Sequence, residues 1–262
     1  MQQGSDSAGA AGRIYAAALV IIGNEVLSGR TQDANTAYLA TRLNDLGIRL
    51  IEVRIVRDEF DAIAKAVNEL RAACDYVFTT GGIGPTHDDI TAEAIARAFG
   101  RRLLEHPEAI ARLARHYAHS EFTPARRRMA NVPDGGSLID NPVSAAPGFR
   151  VENVFVFAGV PKIMQGMFES IRHELIGGAP LLARTIRTNL AEGRIAEPLG
   201  GLQDDFPDLE IGSYPHFNKQ GLSVRLVLRG TDPVRLGAAV DRLRDIIVAL
   251  GGSAEDVDIS AS

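Results

Sequence analysis

The sequence predicts an α/β fold in which a mostly parallel sheet carries helices on both faces, followed by a small α+β domain. Three observations predict it. Strand-like and helix-like segments alternate through most of the chain, the pattern of a parallel sheet covered on both sides. The first strand, Ala16 to Ile22, is a continuous apolar run, as expected of a strand buried on both faces. Past Gly177, Gly178 and Pro180, a natural linker, the order becomes β-α-β-β-α within residues 183–251.

Each element has its own signal. After the first strand, Leu39, Leu43 and Leu46 share one face of a helix from about Asn35, which Gly47 stops. Ile48 to Val56 alternates as a second strand. Ile63, Val67 and Leu70 mark the next helix, and Tyr76 to Thr80 a third strand. Thr91 is expected to cap a helix running to Gly100, with Glu93 in its first turn, where the helix dipole favours an acid. Pro107 opens another helix, and Pro124 a shorter one after its cap Thr123. Asn131 to Phe149, rich in Pro, Gly, Ser and Asn, is expected to be an extended loop. Val154 to Phe157 is a further strand, and a long helix to Leu175 closes a domain over residues 13–177. Beyond the linker, Thr185 to Leu190, Leu209 to Tyr214 and Leu222 to Leu228 are expected strands. Helices near Ile195 to Leu202 and Pro233 to Leu250 accompany them, the second capped by Asp232. Residues 1–12 and 252–262 lack periodicity and are expected to be disordered tails.

Composition narrows the function. The chain has 262 residues, 45% hydrophobic and 23% charged, with a net charge of −5. That balance gives no pull towards nucleic acid or an anionic membrane, and no apolar run approaches the roughly 18–20 residues of a membrane span. The early apolar run lacks the basic start and cleavage site of a signal peptide. A single cysteine, Cys74, excludes an internal disulfide and a Cys-rich metal site. These features point to a cytoplasmic protein. Charge is uneven, however: Arg101 to Arg128 holds seven arginines and three histidines against three glutamates. Such a run is either a solvated helical surface or a local attraction for an anionic ligand.

The chemistry concentrates in Thr79-Thr80-Gly81-Gly82-Ile83-Gly84-Pro85-Thr86-His87-Asp88-Asp89-Ile90-Thr91. It follows a strand and precedes a helix, at the sheet edge where open α/β folds bind ligands. Glycine there allows a tight turn and lets backbone N–H groups approach phosphate oxygens. Asp88 and Asp89 beside such a cradle suit a hard divalent cation, Mg²⁺ by its preference for oxygen. One of them can instead position a water or cap the following helix. His87 is either an exposed loop residue or a phosphate or metal contact. Glu25 and Ser28 follow the first strand and Asp58 the second, so three strand ends deliver polar groups to one edge. In the second domain, Tyr214, His216, Phe217 and Lys219 either pack a turn or contact a ligand ring.

These motifs resemble those of the molybdopterin-binding (molybdenum cofactor biosynthesis) domain family, with the nearest likeness to competence/damage-inducible protein A and to the molybdopterin-binding-like domain of FAD synthase. The resemblance covers about Ala16 to Leu175. It rests on Gly23-Asn-Glu-Val-Leu-Ser-Gly29, Asp33-Ala-Asn35-Thr, the Thr79–Thr91 loop, Asn141-Pro142, Ala146-Pro-Gly148-Phe and Gly159-Val-Pro161. It implies a three-layer α/β fold, a homo-oligomer, and a small-molecule pterin or nucleotide ligand. By position it implies functional acids at Asp58, Asp89 and Glu25, and ligand contacts at Gly81, Gly82, Gly84, Pro85, Thr86, Ser28, Asn35, Gly159 and Pro161. Asn24 stands where an aspartate is usual, which removes one charge. The resemblance leads to the expectation of a divalent-metal-dependent nucleotide pyrophosphatase of the ADP-ribose or FAD type, with Asp88 and Asp89 on the metal. A non-catalytic pterin or nucleotide-binding module and a molybdopterin adenylyltransferase are the alternatives.

Overall fold

The computed structural model describes residues 13–218 and 221–257. Contacts divide the chain into two compact units, the first ending at Gly178.

The first unit runs β1 (Tyr15–Ile22), α1 (Asn24–Leu27), α2 (Asn35–Asp45), β2 (Ile48–Val56), α3 (Phe60–Ala73), β3 (Tyr76–Thr80) and α4 (Thr91–Ala98). It continues through β4 (Leu103–Glu105), α5 (Pro107–His116), α6 (Pro124–Arg127), β5 (Asn131–Pro133), β6 (Ser137–Ile139), β7 (Gly148–Val151), β8 (Val154–Phe157) and α7 (Pro161–Ile171). Six strands form one sheet in the order β2-β1-β3-β8-β7-β6. The β2-β1-β3-β8 part is parallel, while β7 and β6 are antiparallel.

The apolar run of β1 is continuous because each face of the sheet has its own core. Ala18, Val20 and Ile22 join Ile63, Val67 and Leu70 of α3 and Ile95 of α4. The alternate residues Ala17, Leu19 and Ile21 join Leu39 and Leu43 of α2 and Met164, Met167 and Phe168 of α7. Period-2 side-chain alternation makes this division unavoidable. The chain passes from β1 to β2 by α2 on one face, then from β2 across β1 to β3 by α3 on the other. Reversal of strand order between β2 and β3 leaves a crevice at the carboxyl ends of β1 and β3, the usual place for a ligand in such sheets.

Two expectations for this unit are corrected. The stretch 131–149 is not one loop, since it contains β5, β6 and the start of β7, anchored by buried Val132, Ile139 and Phe149. Pairing with neighbouring strands overrides the weak local preference of such short runs. Thr91 does not cap α4; Ile90 does, and Thr91 is the first helical residue. Gly177 and Gly178 stand where the two units divide, as expected of the linker, and both are held against the first unit. A Cβ on Gly177 would stand 1.7 Å from the Leu46 carbonyl oxygen, and the Gly178 N–H donates to the Gly47 carbonyl at 3.2 Å. Cys74, at the end of α3, is buried, and desolvation pushes its thiol pKa up, as suits a small core residue.

The second unit comprises β9 (Leu182–Thr188), α8 (Glu192–Asp205), β10 (Glu210–Asn218), β11 (Gly221–Gly230), α9 (Pro233–Ala249) and β12 (Ala254–Asp256). Its antiparallel sheet has the order β10-β11-β9-β12. Ile186, Val224, Leu226 and Leu228 pack against Ile195, Leu202, Leu236, Leu243 and Ile247 of the two helices. Asp232 caps α9 by accepting from the Val234 and Arg235 N–H groups at 2.8 and 3.2 Å. Within the stretch 252–262, expected to be a tail, the structure differs at residues 254–256. Residues 254–256 add a fourth strand beside β9, and their charges are neutralised by Arg187–Glu255 and Arg244–Asp256 pairs. Residues 1–12 and 258–262 lie outside the described residues, as do Lys219 and the side chain of Phe217.

Candidate functional site

The crevice at the ends of β1, β3 and β8 is a cleft of about 520 Å³, within the range of small-molecule sites. Its floor is the loop after β3, and that loop is closed on itself. The Thr91 hydroxyl donates to the Gly81 carbonyl at 2.9 Å, and the Thr91 N–H donates to the Gly82 carbonyl at 3.0 Å. Both threonine contacts are buried with the residue itself. Replacing Thr91 by valine keeps the shape and strands the Gly81 carbonyl, so we expect a loss of about 1–3 kcal/mol of stability. Urea unfolding checks this; an unchanged midpoint would show that the clasp contributes nothing.

Glycine is required at two places in this loop. Gly81 has φ +104, and a Cβ there would lie 2.1 Å from the Ile22 carbonyl oxygen of the neighbouring strand. Gly82 has φ +65, and its Cβ would lie 2.3 Å from the Thr91 hydroxyl. Both angles are in the left-handed region that other residues rarely adopt. The Gly81 N–H is already used, donating to the Phe157 carbonyl of β8 at 3.2 Å. Among the described residues the N–H groups of Gly82, Ile83 and Gly84 have no protein acceptor, and all three residues line the cleft.

Of the two expected metal-binding acids, Asp89 lines the cleft and Asp88 does not. Asp89 Oδ2 accepts from the Thr86 N–H at 2.8 Å and from the Thr86 hydroxyl. Thr86 is therefore a partner of Asp89 and not itself part of the cleft lining. Gly84 makes room for this carboxylate, since a Cβ there would lie 2.7 Å from Asp89 Oδ2. The Asp88 side chain is 66% exposed and that of His87 97% exposed, so both project away from the loop's interior. Among the described residues, no group of three or more His, Cys, Asp or Glu side chains gathers as a metal cage.

The first strand's end contributes Glu25, which also lines the cleft. Asp58, expected at the crevice, is not among the residues that line it. Asp58 Oδ2 accepts from the Asn24 N–H at 2.8 Å and so anchors the start of α1. Ser28 likewise stays out of the lining, with its hydroxyl donating to the Glu25 carbonyl at 3.2 Å. Asn35 opens α2 and is buried; its amide nitrogen donates to the Gly159 carbonyl at 2.9 Å. Asp33 accepts from the N–H groups of Asn35 and Thr36, which holds that helix end in place. Gly159 permits the ends of β8 and β3 to meet, because a Cβ there would lie 3.3 Å from the Gly81 Cα. Pro85, Gly159 and Pro161 complete the expected lining.

Several lining residues carried no individual signal in the sequence. Met129 and Val26 are apolar walls, and Ile163 joins them from α7. Asn141 is buried and fully bonded. Its amide nitrogen donates to Ser144 Oγ and the Ala146 carbonyl, and its oxygen accepts from the N–H groups of Val143 and Ser144. The motif around Asn141 marked this loop without indicating that Asn141 shapes it from within. In the second unit, Tyr214 and His216 lie inside β10 rather than at its end, opposite Arg225 and Ser223 of β11.

Comparison with known proteins agrees with this architecture. Residues 18–177 match the family described as "Probable molybdopterin binding domain", and residues 180–249 match "FAD synthase, middle domain". A protein of Archaeoglobus fulgidus is 36% identical over 87% of this chain and 96% of its own length. A CinA-like protein of Citrifermentans bemidjiense is 37% identical over 88% of this chain, which spans 58% of that longer protein. The crystal structure of the protein CinA from Thermoplasma acidophilum superposes with a TM-score of 0.58 at 33% identity, covering 62% of this chain and 98% of that one. Fold, loop and sequence agree: the chain belongs to the molybdopterin-binding domain family.

Proposed function

We propose that the cleft holds the phosphates of a nucleotide and that the protein is a divalent-metal-dependent hydrolase of nucleotide pyrophosphate bonds, of the ADP-ribose or FAD type. The observation that carries this reading is the glycine loop. Three successive N–H groups, on Gly82, Ile83 and Gly84, lack a protein acceptor among the described residues, in a loop closed by the Thr91 clasp. Preorganised donors of this kind stabilise charge that develops on phosphoryl oxygens.

The residues present fit a metal that arrives with its ligand rather than a resident one. Mg²⁺ is commonly held by one or two carboxylates, with substrate phosphates and water completing its shell. Asp89 lines the cleft, and one of its oxygens, Oδ1, is not used by Thr86. When bound, such an ion supplies Lewis-acid polarisation of the phosphoryl group. The chain's own residues do the remaining work. The loop N–H groups orient the diphosphate, and the apolar walls at Val26, Met129 and Ile163 exclude water from its flanks. In this reading Glu25, which lines the cleft while Asp58 does not, accepts the proton of an attacking water.

A pterin- or nucleotide-binding module without turnover is the second reading. It is favoured by the engagement of Asp89 Oδ2 with Thr86 and by the absence of a three-ligand cage among the described residues. The two readings separate in an assay of AMP release from ADP-ribose, FAD, NAD and ATP, with and without a divalent ion. Metal-dependent release from a diphosphate-bridged compound supports the hydrolase. Saturable binding without release from any of the four would favour the module.

A further inference from the structure

Of the seven arginines between Arg101 and Arg128, four pair with carboxylates, and Arg115 lines a separate hollow away from the glycine loop. Arg101 pairs with Glu152, Arg102 with Asp134, Arg112 with Glu108 and Asp140, and Arg127 with Glu105. Arg126 bonds the Glu121 carbonyl and lies over the Tyr117 ring. Arg128 differs. Its Nη1 donates to the Thr86 carbonyl at 3.3 Å and its Nη2 to the Asp89 carbonyl at 3.5 Å, and it has no carboxylate partner among the described residues. Both contacts fall on the loop that carries Asp89.

Arg128 also lines a smaller hollow of about 80 Å³ that shares Gly82, Ile83, Gly84, Asp89 and Met129 with the main cleft. The glycine loop is thus shared between the main cleft and a hollow that Arg128 lines. Glu93 lines the same hollow, but its carboxylate is tied to Arg97 at 2.5 Å. A guanidinium has five N–H donors, and two weak carbonyl contacts leave most of them open. Its charge is therefore held beside the loop without a neutralising acid.

Resting on the phosphate-binding reading above, we infer that Arg128 is a binding residue for the anionic ligand, its guanidinium supplying the positive charge that the glycine loop lacks. The carbonyl contacts aim the side chain, and the charge is left for a phosphate oxygen, the partner that a guanidinium fork matches best.

The test separates charge from mere bracing of the loop. The affinity of the full chain for ADP-ribose is measured at several salt concentrations in wild type, Arg128→Lys and Arg128→Gln. Arg128→Gln should weaken binding by about 10-fold or more and make it less sensitive to salt, because a phosphate-contacting cation has been removed. Arg128→Lys, which keeps the charge, should retain most of the affinity and the full salt dependence. An unchanged affinity in Arg128→Gln, or a loss with unaltered salt dependence, overturns the inference while leaving the phosphate-binding reading intact. Failure of wild type to bind ADP-ribose at all overturns both.

Discussion

Asp89→Asn should lower AMP release from ADP-ribose by at least about 100-fold and leave the fold intact. The structure explains why the two effects separate. Asp89 Oδ2 accepts two hydrogen bonds from Thr86, and an asparagine carbonyl can accept both. What the substitution removes is the charge and the second acceptor oxygen, which Thr86 does not use. The thermal midpoint should move by no more than about 2 °C, the scale of a small local change in a domain of this size. Release at the wild-type rate would show that Asp89 only shapes the loop. Asp88→Asn is the natural control, since that side chain is outside the cleft lining.

Gly81→Ala should produce the largest loss of stability, about 3 kcal/mol or more. A Cβ at this position meets a backbone oxygen, Ile22 O at 2.1 Å, and not the movable end of a side chain. Relief would require β1 and β3 to separate, and these are the middle pair of the four parallel strands. The left-handed φ adds strain of its own. Chemical denaturation should therefore show a markedly lower midpoint, or the protein should fail to accumulate. A midpoint within the wild-type range would mean that the loop reaches this geometry less tightly than the structure shows. Gly82→Val is a poor probe of phosphate binding for the related reason that its Cβ would strike the Thr91 clasp.

Much of this site was legible before the structure. The run Ala16 to Ile22 and the strand Tyr76 to Thr80 carry strong local patterns, and the glycine-rich stretch between a strand and a helix locates the crevice. What local pattern could not supply was the partner of each polar group. Thr91 sits where a cap is expected, yet its hydroxyl closes the loop through Gly81, ten residues back. Asp58 and Glu25 both follow strands, but the first is used in anchoring α1 while the second faces the cleft. Three-residue strands such as β5, β6 and β12 exist because of their neighbours, and so leave little trace in their own residues. Arg128 was hidden among arginines of the same kind; what sets it apart is that both of its hydrogen bonds fall on the loop that carries Asp89.

The most direct test of the phosphate cradle is calorimetric titration of ADP-ribose into wild type and Gly84→Ala. Gly84 has no left-handed φ, and the atom a Cβ would meet is the carboxylate end of Asp89 at 2.7 Å. The substitution therefore displaces Asp89 within the loop without breaking the Thr91 clasp. We expect single-site binding in wild type, at least about 10-fold weaker binding in the variant, and thermal midpoints within about 2 °C of each other. Equal affinity in the two proteins would contradict the assignment of the Gly81–Asp89 loop as the place where the phosphates bind.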